Sequence, residues 1–531
     1  LRKQQVTEFI PEFRVKKFFL SSLLIFSVLS NITFAQSGGR NQAAPLASQT
    51  AAAAATAKTR QGLEVPFVTR TLSNGLEVIV LPDASIPLVT VELDVRNGSF
   101  TEPPEYHGLS HLFEHMFFKP NQAVMLSRCE TTTNRFSSSY ASECTAPLKL
   151  KPQIGDISYL KDAGQLNFFN GSTREEVVNY YYHVTSQYMP TAIKFINDSV
   201  RFPTFDEAEF AAEKKVVIGE IDRQESSPYS YLDLAMKQKL FYKYPTRKDP
   251  KGTRESIAAA TTEKMRTIQA RYYVPNNSAL IVTGDVKPEE VFQMAEQIMG
   301  SWERRKVDPF TEFALVEHPP LPKSEGLVIE KKIEGGEDQG QNVVLNIGWH
   351  GPSVGKDDAA TYAADVFSYI ISQPNSRFQR TLVDSGVAAS VNFGYYTQRN
   401  VGPISMVVVT TPDKAKAALK AVYGEIAQFT RPDYFTDEEL ESAKTILQST
   451  DLFEREKLSE YAHTLGFWWS STGIEYFRGY QRNLRAVTRA DINRYNQTYV
   501  QDKNHIGLAL VAPGVKAQAN LTEADLIGGN K

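Results

Sequence analysis

Residues 203–221, PTFDEAEFAAEKKVVIGEI, are echoed by residues 433–451, DYFTDEELESAKTILQSTD. Phe205 and Phe435, Glu209 and Glu439, and Lys214 and Lys444 fall at one constant offset. A second pair lies further along: RYYVPNNSALIVTGDV (271–286) is matched by QTYVQDKNHIGLALVAPGV (497–515). A repeat of about 200 residues is a duplicated domain and not a short solenoid unit. The expected fold is therefore α+β: two tandem homologous domains, each an antiparallel-rich sheet with helices packed on one face, facing each other across a cleft.

Outward from the repeat, the first half reads as residues 62–305. It opens with the strands LEVIVLP and LVTVELDVRNG, continues with helices over 174–202 and 206–226, and closes with SALIVTGDV and the helix PEEVFQMAEQIMGSW. The charged, proline-bearing stretch ERRKVDPFTEFALVEHPPLPKSEG reads as a linker centred on 306–325. Residues 326–531 repeat the plan from VVLNIGWHG onward. Ahead of the first half, Arg14, Lys16 and Lys17 precede the apolar run FFLSSLLIFSVL and a small-residue end at Thr33-Phe34-Ala35. That is the pattern of a secretory signal peptide over 1–35, which leaves no membrane span after cleavage and predicts a periplasmic or secreted protein. Residues 36–61, rich in Ala, Gln, Thr and Ser, read as a disordered spacer. A formal net charge of −3 gives no electrostatic footprint for nucleic acid. The two cysteines, Cys129 and Cys144, belong to no CxxC pair, and in an exported chain they are a candidate disulfide.

Three of the eight histidines fall in HGLSHLFEHMFFK (107–119). Leu109, Leu112, Phe113, Met116 and Phe117 recur at helical spacing, so the polar residues are the anomaly. His111 and His115, four apart, can present two imidazoles to one ion. Two imidazoles, one carboxylate and an open position make a catalytic zinc centre. Glu114 is placed to act as base, and the order His-x-x-Glu-His is an inverted metallopeptidase signature. On the 206–226 helix Glu213 and Glu220 stand seven apart, on one face, where one can bind metal while the other supports it. His107 reads as a polar residue of the helix start, and His183, in YYYHV, as a core or interface residue.

The runs NGLEVIVLP, NGSFTEPPEYHGLSHLFEHMFFK and EKKVVIGEI resemble the M16 (pitrilysin-like) metallopeptidases, the family of insulin-degrading enzyme and mitochondrial processing peptidase. The resemblance covers about 62–515 and implies the fold of that family's metallohydrolase domains, one Zn2+ per chain, His111, His115 and Glu220 as ligands, Glu114 as catalytic base and Glu213 as support. Gly-Gln-Leu-Asn at 164–167 resembles the family's strand beside the active site, which makes Asn167 a candidate substrate contact. Two departures stand out. The 104 residues between His115 and Glu220 exceed the family's spacing, the excess falling at about 120–160 around both cysteines. Its Ser/Thr-rich composition reads as a disulfide-pinned loop. In SRFQRTLVDSGVAASV, Val383 and Ala389 stand where family members that bind substrate through the second half carry an Arg and a Tyr, and Ala443 and Thr450 stand opposite Glu213 and Glu220. The implied partner is an M16-like paralogue supplying the Arg/Tyr pair, otherwise a second copy in a homodimer; the substrate class is peptides or unfolded segments. The competing expectation is a non-catalytic binding or assembly subunit that kept the fold.

Overall fold

Alternation in LVTVELDV builds the centre of the first sheet: Val89, Val91, Leu93 and Val95 enter an apolar core, and Thr90, Glu92 and Asp94 point to the opposite face. The computed structural model describes residues 64–132, 144–332 and 342–529. The expected signal peptide and spacer lie outside the described residues. In spatial order the first sheet is β1 (Val68–Thr71), β2 (Glu77–Pro82), β6 (Ser278–Gly284), β3 (Leu88–Val95), β5 (Val178–Thr185) and β4 (Phe168–Thr173). The second is β7 (Glu325–Glu330), β11 (His505–Val511), β8 (Val343–His350), β10 (Pro403–Thr410) and β9 (Ser390–Tyr395). The β2–β6 and β7–β11 pairs are parallel and every other pair is antiparallel. The second sheet therefore repeats the first strand for strand, apart from β1.

The helices that bear on function are α1 (Leu109–Phe117), α2 (Gln122–Thr131), α3 (Thr145–Ile154), α4 (Met189–Arg201), α5 (Glu207–Glu225), α6 (Pro228–Leu240), α7 (Asp358–Ser372), α8 (Asp437–Glu454) and α9 (Leu458–Ser471). The duplicated stretch that opened the sequence reading forms α5 and α8. Both start on side-chain caps: Asp206 accepts from the amides of Ala208 and Glu209, and Thr436 and Glu439 form a reciprocal capping box.

Each sheet packs its own helices on one face, and a helix from the other half covers the opposite face. Leu232, Met236 and Leu240 of α6 lie on Val344, Ile506, Leu508 and Leu510 of the second sheet. Tyr461, Leu465 and Trp469 of α9 lie on Ile79, Leu81, Ala279 and Ile281 of the first. At about 1.5–3 kcal/mol for each large apolar side chain removed from water, this exchange fastens the halves to each other.

Three local expectations are corrected. Residues 174–202 are not one helix: β5 occupies 178–185 and α4 begins at Met189. The YYYHV run alternates, with Tyr180 and Tyr182 buried towards the helix-covered core and Tyr181 and His183 on the other face. The excursion at 120–160 is helical in its described part, a hairpin of α2 and α3 joined by the Cys129–Cys144 disulfide. The stretch 164–167 is not strand, since a 3-10 segment runs over Ser158–Gln165 and β4 begins at Phe168.

Candidate metal centre

The apolar stripe of α1 fixes how that helix is rotated. Phe113 stacks on Tyr273 with ring centroids 4.0 Å apart, and Phe117 on Tyr180 at 3.7 Å. With those rings in the core, His111 and His115 face α5. His111 Nε2 and His115 Nε2 are 3.3 Å apart, and each is 3.5 Å from Glu220 Oε2. Donors at 2.0–2.1 Å from a tetrahedral ion are about 3.3 Å from each other, so the three atoms have the spacing a zinc ion requires. Among the described residues this is the one group of three or more His, Cys, Asp or Glu side chains with converging donor atoms.

The surrounding bonds orient the donors. His115 Nδ1 donates to Glu213 Oε2 at 3.1 Å, which leaves its Nε2 lone pair directed at the site. Glu213 is also paired with Lys119. Burial, with His115 alongside, pushes His111 down to about 4 and keeps it a neutral imidazole. Burial also opposes protonation of His115, but the carboxylates of Glu220, Glu114 and Glu213 outweigh it and hold that ring above its ordinary value. Its pairing with His115, with His111 alongside, holds Glu220 below the usual carboxylate range.

Glu114 points to the neighbouring strand. Burial pushes it up to about 7, against the pull of Thr173, whose Oγ1 donates to Glu114 Oε2 at 2.7 Å. Thr173 and Gly171 share one face of the edge strand β4, and a Cβ added at Gly171 would lie 2.8 Å from Glu114 Cγ. Neither residue was identified from sequence. Their signal is only the alternation of a strand 59 positions from the motif. Lys119 was also missed; it lies four residues after His115, just past the end of α1.

His107, Asn167, Arg377, Val383 and Ala389 stand outside this group. His107 bonds through Nε2 to the carbonyl of Asp249 at 3.0 Å and is not among the converging donors. Asn167 is exposed just ahead of β4, about 13 Å along the strand from Gly171. In the second half Arg377 is held by Glu425 at 3.1 Å, and Val383 and Ala389 present no donor side chain.

At its N-terminus α1 has no cap from its own N-cap residue, Gly108. Glu102 takes that part from six residues upstream: its carboxylate accepts from the amides of Gly108 at 2.8 Å and Ser110 at 2.6 Å. Burial pushes Glu102 up to about 7 while these bonds pull it down.

Comparison with known proteins matches both halves of the chain. Residues 78–145 and 157–249 match the family described as insulinase (peptidase family M16), and residues 259–447 match the peptidase M16 inactive domain. The zinc protease PqqE of Helicobacter pylori is 21% identical over 440 residues, covering 81% of this chain and 90% of that protein. The uncharacterized zinc protease YmxG of Bacillus subtilis is 24% identical over 376 residues, covering 70% and 81%. The crystal structure of a protease from Helicobacter pylori superposes with a TM-score of 0.67 at 19% identity, covering 84% of this chain and 99% of that one. The first half of the periplasmic protease PqqL from Escherichia coli gives 0.64 at 16% identity, covering 88% and 96%. With both of its halves matched and the inverted motif in place, this chain belongs to peptidase family M16.

Proposed function

We propose that the protein is an exported zinc-dependent endopeptidase that hydrolyses peptides or unfolded polypeptide segments, acting as the metal-bearing subunit of a heterodimer with an M16-like paralogue. The observation that carries this reading is the donor triangle of His111, His115 and Glu220, with sides of 3.3, 3.5 and 3.5 Å, beside a buried carboxylate free to move a proton. A zinc ion held by these three residues would supply an acidified water and polarise the scissile carbonyl. Glu114 takes the proton from the attacking water and returns it to the leaving amine. A base whose pKa lies near neutrality suits both steps. Thr173 orients that carboxylate, and Glu213 orients His115. The exposed edge of β4, with Phe168 72% and Phe169 48% exposed, is where an extended substrate would add a strand, Asn167 serving its outer end.

Export rests on the sequence of residues 1–35 and on the periplasmic location given for the Escherichia coli relative. Among the described residues no helix is long and apolar enough to cross a membrane. The need for a partner rests on Val383 and Ala389, where a substrate-binding Arg and Tyr are missing. That same gap favours the second reading, a non-catalytic binding or assembly subunit. Glu114→Gln separates the two. In the paired complex with zinc supplied, the variant should keep one zinc per chain and lose peptidase activity by about 1000-fold, as expected when a positioned general base is removed. A wild-type complex that binds no zinc and cleaves no peptide would leave the assembly-subunit reading standing, and a variant that cleaves as fast as wild type would show that Glu114 is not the base.

A further inference from the structure

The first metal ligand sits in the least secure part of its helix. His111 is the third residue of α1, inside the turn whose amides have no partner within the helix. A Ser, Thr, Asp or Asn at the N-cap would ordinarily satisfy them. Here that position is Gly108, with φ +83°, and a Cβ on it would come within 2.7 Å of Gly252 Cα. The close backbone contact between Gly108 and Gly252 rules out a local cap. The second half shows the alternative: its corresponding helix α7 is capped by its own N-cap side chain, Asp357, on the amide of Ala360.

We propose that Glu102 is a positioning residue of the metal centre, its carboxylate clamping the first turn of α1 through the amides of Gly108 and Ser110 and so holding His111 on the donor triangle. Glu102 is 2% exposed, and the loop that carries it is braced in turn. Thr101 Oγ1 donates to Asn97 Oδ1 at 2.7 Å, and Asn97 Nδ2 donates to Ser110 Oγ at 3.1 Å. A carboxylate at a helix N-terminus also interacts favourably with the helix dipole. The inference rests on the reading of His111, His115 and Glu220 as zinc ligands.

Glu102→Ala and Glu102→Gln test it, the second keeping the volume of the side chain while placing an amide NH2 against a backbone N–H. Two readouts are needed on the full chain. Competition with a chromogenic chelator gives the zinc dissociation constant, which should rise 10- to 100-fold in both variants, the range found when groups that orient metal ligands are removed. Hydrogen exchange on the metal-free protein should show the amides of Ser110 and His111 opening about tenfold faster or more, with α5 unchanged. A residue with only a general structural part would lower Tm but leave the zinc constant, measured well below Tm, within twofold of wild type. That outcome, or unchanged exchange in α1, overturns the inference. Failure of the wild type to bind zinc would instead count against the proposed function, and the exchange comparison would still decide whether Glu102 holds the turn.

Discussion

At the scale of single residues, Thr173 shows what a linear reading leaves out. His111, Glu114 and His115 are legible because a helix brings residues three and four apart onto one face, and that period is written in the sequence. The contact of Thr173 with Glu114 depends on β4 lying beside α1, and no local pattern encodes which strand that is. The hydrogen bond has a testable consequence. It stabilises the ionised form of Glu114, the form that accepts a proton, and opposes the burial that pushes this group up to about 7. Thr173→Val keeps the shape and removes the donor. Bonds to a charged partner are worth about 1.5–3 kcal/mol, so kcat should fall roughly 10- to 100-fold. Because a base with a higher pKa is ionised only at higher pH, the acidic limb of the kcat profile should move to higher pH with zinc content unchanged. A profile that overlays the wild type would show that Thr173 does not act on the base.

At the scale of elements, the α2–α3 hairpin and β5 diverged from expectation for different reasons. The hairpin carries Ser, Thr and a proline, Pro152, inside α3, and its composition is that of a loop. It is helical because a small core of Ala123, Leu126 and Ile154 forms against Leu150, Ile157 and Phe202, and because a disulfide ties its two helices. In β5 the run Tyr180, Tyr181, Tyr182 hides the alternation that marks a strand, since aromatic residues serve both faces, one in the core and the other beside α9. The hairpin's stability should depend on its crosslink. Closing a loop with a sequence separation of 15 contributes about 3 kcal/mol on the chain-entropy model, large against so few buried side chains. The Cys129→Ser/Cys144→Ser double variant should therefore exchange amide hydrogens faster across 122–131 and 145–154, while α1 and α5 keep wild-type protection and zinc is retained. Loss of protection spreading into α1 would mean that the hairpin supports the metal centre itself.

At the scale of the whole molecule, the constant offset between 203–221 and 433–451 foretold two sheets of one topology but not how the halves are fastened. The stripes Leu232, Met236, Leu240 and Tyr461, Leu465, Trp469 show at their spacing that one face of each helix is buried. Spacing says nothing of which sheet receives that face. In the structure each stripe crosses to the other half, so the half that carries the donor triangle is covered on its open sheet face by a helix of the half that does not. His350 stands at one of these crossings. Its Nε2 donates to the carbonyl of Leu240, at the end of α6, at 2.7 Å, and its ring stacks on Phe241 with centroids 5.3 Å apart. Burial, reinforced by His318 and Lys248, pushes it down to about 4 against the pull of the Leu240 carbonyl. An unfolded chain holds a histidine near 6.5, so between these values the unfolded state binds more protons than the folded one. The contribution of His350 is then complete above pH 6.5 and is lost as pH falls towards 4, by about 2 kcal/mol at pH 5. His350→Gln keeps a donor for Leu240 and does not titrate. The difference in unfolding free energy between wild type and variant, measured by denaturant titration, should be flat above pH 7 and shift by about that amount in favour of the variant at pH 5. A difference that stays constant from pH 8 to pH 5 would show that His350 does not couple protonation to the joining of the halves.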